Sequence, residues 1–259
     1  MDTDNTSVPS LNMGTFNANG LGDKNKRVEV LNWLKRKGDD LIILQETHCT
    51  DLTAHNWVSE IGRPIVFNNG TSNSTGTAFL LLNKNIKVER HKIIEQGRIS
   101  LLEFEYENLK YCLVNVYAPN SDDVELLEKM ATEVFGRDRD DLLILAGDWN
   151  TVLCNSLDKI GGSANHSNKK CQSFLNSLMS EGGLFDPFRV NNPSDKKFTH
   201  FNKKSITGTR LDFFLVDNNV MNLPKCESTI SHGFKSDHSY VHLGLIGNTI
   251  ERGRGYWKF

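Results

Sequence analysis

Several short apolar runs in this 259-residue chain end in polar residues that a core strand would not choose, and the chemistry collects at those ends. Leu142 to Gly147 runs straight into Asp148, with Asn150 two residues on. A carboxylate and an amide are thus carried to the rim of a rigid element, a pattern that supplies ligands for a metal ion or a phosphate. Asn17 follows Leu11 to Phe16, Glu46 follows Leu41 to Gln45, and Tyr117 closes Tyr111 to Val116. Asp212 lies among Leu211, Phe213, Phe214 and Leu215, where an unpartnered carboxylate is costly. A histidine hydrogen-bonded to it would satisfy it and fix the imidazole tautomer. Ser236-Asp237-His238 sits just before the final strand, so the expected partner of Asp212 is His238. Singly, each residue has a plainer reading: Asn17, Asp148 and Asn150 as turn formers, Glu46 as a surface carboxylate, Tyr117 as a packed aromatic, His238 as a loop residue.

The elements that must position these groups follow from hydrophobic spacing. Lys26 to Lys37, Leu52 to Ile61, Asp122 to Phe135 and Lys169 to Glu181 read as helices, three of them stopped by Gly38, Gly136 and Gly182-Gly183. Strands are expected at Leu11 to Phe16, Leu41 to Gln45, Ile65 to Phe67, Thr77 to Leu82, Val88 to Ile94, Leu101 to Tyr106, Tyr111 to Tyr117 and Leu142 to Ala146. Further strands are expected at Phe198 to Phe201, Arg210 to Val216, Cys226 to Ile230 and Tyr240 to Leu245. The strands between Ile65 and Tyr117 lie too close together for helical crossovers and must be largely antiparallel. No repeat or Pro-rich linker divides the chain, so two sheets sharing one core with helices outside is the economical architecture.

Thirty basic and 32 acidic side chains leave a net charge of -2, so nucleic-acid contact has to come from local patches. Lys196 to Leu211 is such a patch: five basic residues (Lys196, Lys197, Lys203, Lys204, Arg210) and no acid. Phe198 to Phe201 and Arg210 to Val216 are expected to pair as a hairpin around Asn202 to Thr209. The longest apolar runs fall far below the ~20 residues of a membrane-crossing helix. The polar start of the chain predicts neither a signal nor a transit peptide, which makes cytosol or nucleus the expected location. Five scattered cysteines without a Cys-x-x-Cys pair read as free thiols and argue against structural zinc. The sequons at Asn5, Asn69, Asn73 and Asn165 are then chance matches.

Six separated motifs, in order, resemble those of the endonuclease/exonuclease/phosphatase superfamily, which includes DNase I, exonuclease III and the apurinic endonucleases. They are Asn17, Gln45-Glu46-Thr47, Asn115-Val116-Tyr117-Ala118-Pro119, Gly147-Asp148-Trp149-Asn150, Arg210-Leu211-Asp212 and Ser236-Asp237-His238. Trp149 stands where many members of the family have Phe. The resemblance implies a DNase I-like four-layer α/β sandwich, with two mixed, mostly antiparallel β-sheets flanked by helices, and metal-dependent hydrolysis of phosphoesters. It implies Glu46 as the principal ligand of Mg²⁺, with Mn²⁺ able to substitute, and Asp237 as a second ligand. Asp148 would orient or deprotonate the attacking water, with Asn150 and Asn17 holding water, phosphate or carboxylates. His238, oriented by Asp212, would bind the scissile phosphate or act as acid-base, and Tyr117 could donate its hydroxyl to the phosphate. Thr199 and Ser236 could bond the phosphate or a partner side chain. Lys203, Lys204 and Arg210 would meet DNA.

Within the superfamily, Thr199, the run Arg210 to Val216 and the closing Gly253-x-Gly255-x-Trp257-Lys258 most resemble the endonuclease domain of LINE-type (non-LTR) retrotransposons. That resemblance implies nicking of double-stranded DNA to leave a 3′-hydroxyl that primes reverse transcription. Residues 1–10, whose Asp, Asn, Thr, Ser and Pro offer nothing to bury, are expected to be a flexible tail, and the resemblance implies 11–246 as the catalytic domain and 247–259 as the start of a linker to a downstream reverse transcriptase region. The expected sites of action and assembly are nucleus and cytoplasm, and the isolated domain is expected to be monomeric and to bind DNA weakly and salt-sensitively. The alternatives are an apurinic/apyrimidinic repair endonuclease, a phosphatase or phosphodiesterase of the same fold acting on small molecules, and a non-catalytic DNA-binding domain. The plain Arg210-Leu211-Asp212-Phe213 segment and the complete acid and histidine set weigh against the last two.

Overall fold

The computed structural model describes residues 10–136, 139–161, 168–202 and 206–247. The expected N-terminal tail (apart from Ser10, which opens the first strand), most of the expected linker including its Gly/Trp/Lys segment, Lys203 and Lys204 lie outside the described residues. In chain order the first half comprises β1 (Ser10–Asn17), α1 (Lys24–Lys35), β2 (Leu41–Gln45), α2 (Ala54–Ile61), β3 (Ile65–Asn68), β4 (Thr77–Leu81), β5 (Lys87–Glu95), β6 (Ile99–Tyr106), β7 (Leu109–Tyr117), α3 (Glu125–Phe135) and β8 (Leu142–Asp148). The second half comprises α4 (Asn155–Asp158), β9 (Lys159–Ile160), α5 (Lys169–Gly182), β10 (Leu184–Phe185), α6 (Pro187–Asn191), β11 (His200–Asn202), β12 (Thr207–Thr209), β13 (Asp212–Asp217), α7 (Asn218–Met221), β14 (Lys225–Ser231) and β15 (Tyr240–Ile246).

Two six-stranded sheets, ordered β14-β15-β1-β2-β4-β3 and β10-β13-β8-β7-β6-β5, pack face to face. Strand periodicity explains how they do so. In β2, Leu41 and Ile43 enter the central core while Ile42 and Leu44 pack outward with Val30, Leu31, Leu34 and Trp57 of α1 and α2. In β8, Ile144 and Ala146 face inward while Leu143 and Leu145 meet Leu127, Met130, Val134 and Leu175 of α3 and α5. Both strands are apolar on both faces because each has a layer on either side. The result is a four-layer α/β sandwich.

Among the described strands only β1–β2 and β7–β8 pair in parallel, and these are the two connections that carry the crossover helices α1 and α3. The closely spaced strands β3 to β7 are antiparallel wherever they pair. The hairpin expected between Phe198–Phe201 and Arg210–Val216 does not form. β11 pairs instead with β12, which pairs with β9 in a separate three-stranded sheet, while β13 joins β8 and β10. The chain changes sheets at Arg210, whose backbone N–H donates to Asp158 O at 2.8 Å, and this anchors the crossing.

Gly147 precedes Asp148 with φ +144°, and a Cβ there would lie 1.9 Å from Val116 O on the paired strand. Neither the conformation nor the contact admits a side chain. Gly147→Ala is therefore expected to cost ~3 kcal/mol or more, measurable by urea unfolding; a loss below ~1 kcal/mol would show that β7 and β8 can part locally.

Candidate active site

The parallel pairs bring the ends of β1, β2, β7 and β8 to one edge, so Asn17, Glu46, Tyr117 and Asp148 meet there. β13 and β15 run oppositely and begin at the same edge, adding Asp212 and, two residues before Tyr240, His238. Register places Asp148 between Tyr117 on one side and Asp212 on the other. Two carboxylates directly opposite each other repel, and both are buried. His238 resolves this: Nδ1 lies 2.9 Å from Asp212 Oδ2 and Nε2 lies 3.9 Å from Asp148 Oδ2. The pairing of Asp212 with His238 is therefore present in the fold.

From His238 the network continues toward Glu46. The Asn17 side-chain amide donates to Asp148 Oδ2 at 2.8 Å and to Glu46 Oε1 at 2.9 Å, and the Tyr117 hydroxyl donates to the same Glu46 oxygen at 2.8 Å. Asn150 donates its backbone N–H to Asp148 Oδ1 and its amide to Ala118 O. Glu46, Asn150 and Asn19 all sit at positive φ, +49°, +47° and +46°. Left-handed backbone is costly for a glutamate and persists only where surroundings over-determine it. Here the fixing comes from the Gly20 N–H on Glu46 O and the Thr47 N–H on Gly76 O. Beneath the rim, Gln45 donates to Asn115 Oδ1 across the two sheets, and Asn115 donates to Leu44 O and Ala78 O. This buried, satisfied network keeps the two rows of strand ends in register.

Burial by itself would lower the His238 pKa, but Asp212, with Asp148 and Asp237 behind it, outweighs burial and pushes it up to about 10. Burial, reinforced by the Asp212 charge, pushes Asp148 up to about 7. The Tyr117 hydroxyl is pushed up by burial and by its bond to Glu46, so it stays a donor. Both His238 and Asp148 bind protons more tightly folded than unfolded, from ordinary values of 6.5 and 3.8. Their contribution to stability is therefore complete at low pH and falls as pH rises, through about 7 for Asp148 and about 10 for His238. Ring ¹⁵N NMR in EDTA should find His238 still an imidazolium at pH 8; a ring that is neutral by pH 7 would remove the Asp212 pairing as its cause.

Glu46, Tyr117, Asp148, Asn150, Asp237 and His238 line one cavity of about 550 Å³. Four carboxylates, Glu46, Asp148, Asp212 and Asp237, gather here around the His238 imidazole, with His200 beside Asp237 and His48 beside Glu46, an arrangement whose acids call for a cation. Glu46 uses Oε1 for Asn17 and Tyr117, while His48 Nε2 lies 3.9 Å from its Oε2. Hard carboxylate oxygens at a water-accessible rim suit Mg²⁺ or Mn²⁺. Asp148, Asp212 and His238 also bring ligand atoms within 4.8 Å of one another, but there the imidazole already bridges the two acids.

Some expected site residues have other work. Arg210 is corrected from a DNA contact to a buried anchor: it is 1% exposed, with Nε 2.7 Å from Asp158 Oδ1 and Nη2 2.7 Å from Asp186 Oδ2, between the rings of Phe188 and Phe213. Thr199 is buried, and its Oγ1 accepts the N–H groups of Leu211 and Asp212, so it sets the entry to β13 rather than meeting a phosphate. Ser236 donates to Asn17 O and accepts the His238 N–H, tying the loop to β1. Three residues not singled out by sequence also line the rim. Asn19 donates to Asp237 Oδ1 at 2.8 Å, His200 Nε2 lies 3.5 Å from Asp237 Oδ2, and His48 stands by Glu46. Their only sequence signal was adjacency to Asn17, Thr199 and Glu46.

The model of the endonuclease/exonuclease/phosphatase family matches residues 10–238. A 149 kDa protein of transposon TX1 from Xenopus laevis is 27% identical over 96% of this chain, and the chain spans 19% of that protein's length. An exodeoxyribonuclease from Bacillus subtilis is 26% identical over 88% of this chain and 97% of its own. Among solved structures, an AP endonuclease from Leishmania major superposes with a TM-score of 0.76 at 16% identity, covering 92% of this chain and 88% of that one. An AP endonuclease from Archaeoglobus fulgidus gives 0.73 at 19% identity, covering 91% and 99%. At these identities the structural likeness speaks for the fold. Among the described residues no helix is long and apolar enough to cross a membrane.

Proposed function

Since this chain belongs to the endonuclease/exonuclease/phosphatase family, we propose that it is a metal-dependent DNA endonuclease that nicks undamaged duplex DNA and leaves a 3′-hydroxyl to prime reverse transcription of a retrotransposon. The observation that carries the reading is the unbroken chain Glu46–Asn17–Asp148–His238–Asp212 along one cavity, in a sequence whose transposon relative matches nearly its whole length. A reverse transcriptase region downstream is part of the same proposal, as are action in the nucleus and assembly in the cytoplasm.

Glu46 and Asp237 would hold the divalent cation. Bound there, it would neutralise charge growing on the phosphate oxygens and the leaving 3′ oxygen. Asp148, raised toward neutral pH and fixed by Asn17 and Asn150, orients the attacking water and accepts its proton. His238, kept cationic by Asp212, donates from Nε2 to a non-bridging phosphate oxygen. Tyr117 fixes the Glu46 carboxylate and remains a donor near the phosphate. The hairpin of β11 and β12, beside the cavity, would lie against the DNA groove, where groove width and step flexibility select the nick site.

The test is nicking of supercoiled plasmid with Mg²⁺, beside EDTA and His238→Ala controls, with mapping of positions and ends. Metal-dependent open circles with 3′-hydroxyl ends at recurring sites support the reading. A folded protein that leaves intact plasmid untouched and cuts only abasic duplex would replace it with the AP endonuclease activity named in its structural neighbours.

A further inference from the structure

His200 has no place in the chain of groups just described, yet it stands among them. It lines the 550 Å³ catalytic cavity and also an adjoining groove of about 750 Å³ that runs past Phe201, Ser236 and Lys235. The two spaces share Asn19, His200, Asn202, Asp237 and His238, so these residues form the partition between them.

The central member of that partition is Asp237. Its side chain is 46% exposed, and an exposed carboxylate on a turn ordinarily samples several rotamers. Here it is held from both sides. Asn19 Nδ2 donates to Oδ1 at 2.8 Å, and His200 Nε2 lies 3.5 Å from Oδ2. Asn19 is itself fixed: its backbone N–H donates to Asn17 Oδ1 at 2.9 Å, and Lys26 Nζ donates to its carbonyl at 2.6 Å. On the other side, the His200 ring packs on the His238 ring, centroids 4.8 Å apart and planes 43° apart. His238 is thus held at Nδ1 by Asp212 and along its ring by His200. The backbones follow the same line. His200 and His238 form an isolated antiparallel bridge, the Ser239 N–H donates to Thr199 O at 2.6 Å, and the Phe201 N–H points to Asp237 O at 3.4 Å.

We propose that His200 is a positioning residue that ties the β11–β12 hairpin to the Asp237–His238 turn and fixes the Asp237 carboxylate at the cavity. The proposal rests on the nuclease reading for what the fixed carboxylate is used for, but its structural claim does not. Positioning within a fraction of an ångström governs turnover more than substrate affinity. His200→Ala in the full chain should therefore lower kcat for plasmid nicking about tenfold while KM stays within about twofold. His200→Gln, which keeps a side-chain N–H donor toward Asp237, should recover most of that loss. If His200 acts through Asp237, removing it from Asp237→Ala should cost less than about threefold, so the two effects should fall well short of additive.

A second readout needs no activity. In metal-free protein the side-chain amide resonances of Asn19 report the Asp237 carboxylate. They should move toward free-amide positions in His200→Ala and stay put in His200→Gln. Unchanged Asn19 resonances in His200→Ala, or fully additive kinetic losses, would overturn the proposal. A wild-type protein that nicks nothing while the Asn19 resonances respond as described would sink the nuclease reading and leave the positioning role standing.

Discussion

Asp212→Asn should leave a folded protein whose nicking rate is down by roughly 10²–10⁴. The substitution keeps the side-chain volume, and the new amide can still bond the ring, but it cannot hold an imidazolium. Asp212 is buried against Asp148 across the β8–β13 register, and its Oδ2 sits 2.9 Å from His238 Nδ1. Removing its charge takes away the main influence holding the His238 pKa up, so the ring should titrate well below its wild-type value. It also takes away a like charge from Asp148, whose pKa should fall. Both changes work against the reaction: a neutral imidazole is a weaker donor to phosphate, and a more acidic Asp148 is a weaker base. The loss should lie in kcat, with KM within about threefold of wild type, because the affected groups act on the reacting atoms. Single-turnover nicking with circular dichroism as the folding control decides it. Wild-type rates in Asp212→Asn would show that His238 works without its carboxylate and would dismantle the assignment of roles.

Arg210→Ala should destabilise the fold by ~3–5 kcal/mol, the usual cost of breaking a buried ion pair. The guanidinium is 1% exposed and meets Asp158 and Asp186, themselves 0% and 4% exposed, with Phe188 and Phe213 on its faces. Burial alone would lower its pKa, but Asp186 and Asp158 overcome this and raise it, so the charge is held in place. Its removal strands Asp186 without a cation and leaves Asp158 with Arg189 alone. The cavity left beside two aromatic rings adds to the loss. Arg210→Lys should recover only part, since an ammonium cannot reach both carboxylates with the geometry of a planar fork. Urea unfolding should show a lower midpoint with an unchanged slope. DNA affinity of the folded fraction should hardly change, the reverse of what a phosphate-contacting arginine would give. A stability within ~1 kcal/mol of wild type together with lost DNA binding would return Arg210 to the surface role.

These two residues also mark where sequence suffices. Asp212 could be singled out because a carboxylate inside an apolar strand creates a demand that few neighbours can meet. Arg210, two positions earlier, has the same composition signal as Lys203 or Lys196. A basic residue in a basic run reads as solvated unless the chain elsewhere supplies buried acids, and Asp158 and Asp186 lie 52 and 24 positions away. His200 and Asn19 escaped for a related reason: their partner Asp237 is remote in sequence, and only the meeting of two loops with the start of β11 creates the contacts.

By itself the sequence determined the alternation of strands and helices, through periods of two and 3.6 residues, and the ends of strands at which polar groups break that pattern. It determined that the closely spaced strands would run antiparallel, and it put helices between β1 and β2 and between β7 and β8, where a crossover permits parallel pairing. Only the tertiary structure decided which sheet each late strand joins, that the basic hairpin closes on itself as β11–β12, and that Arg210 turns inward. Local spacing dictates which face of an element is apolar, whereas register and ion pairing depend on residues brought together from far along the chain, whose combined geometry no single segment encodes.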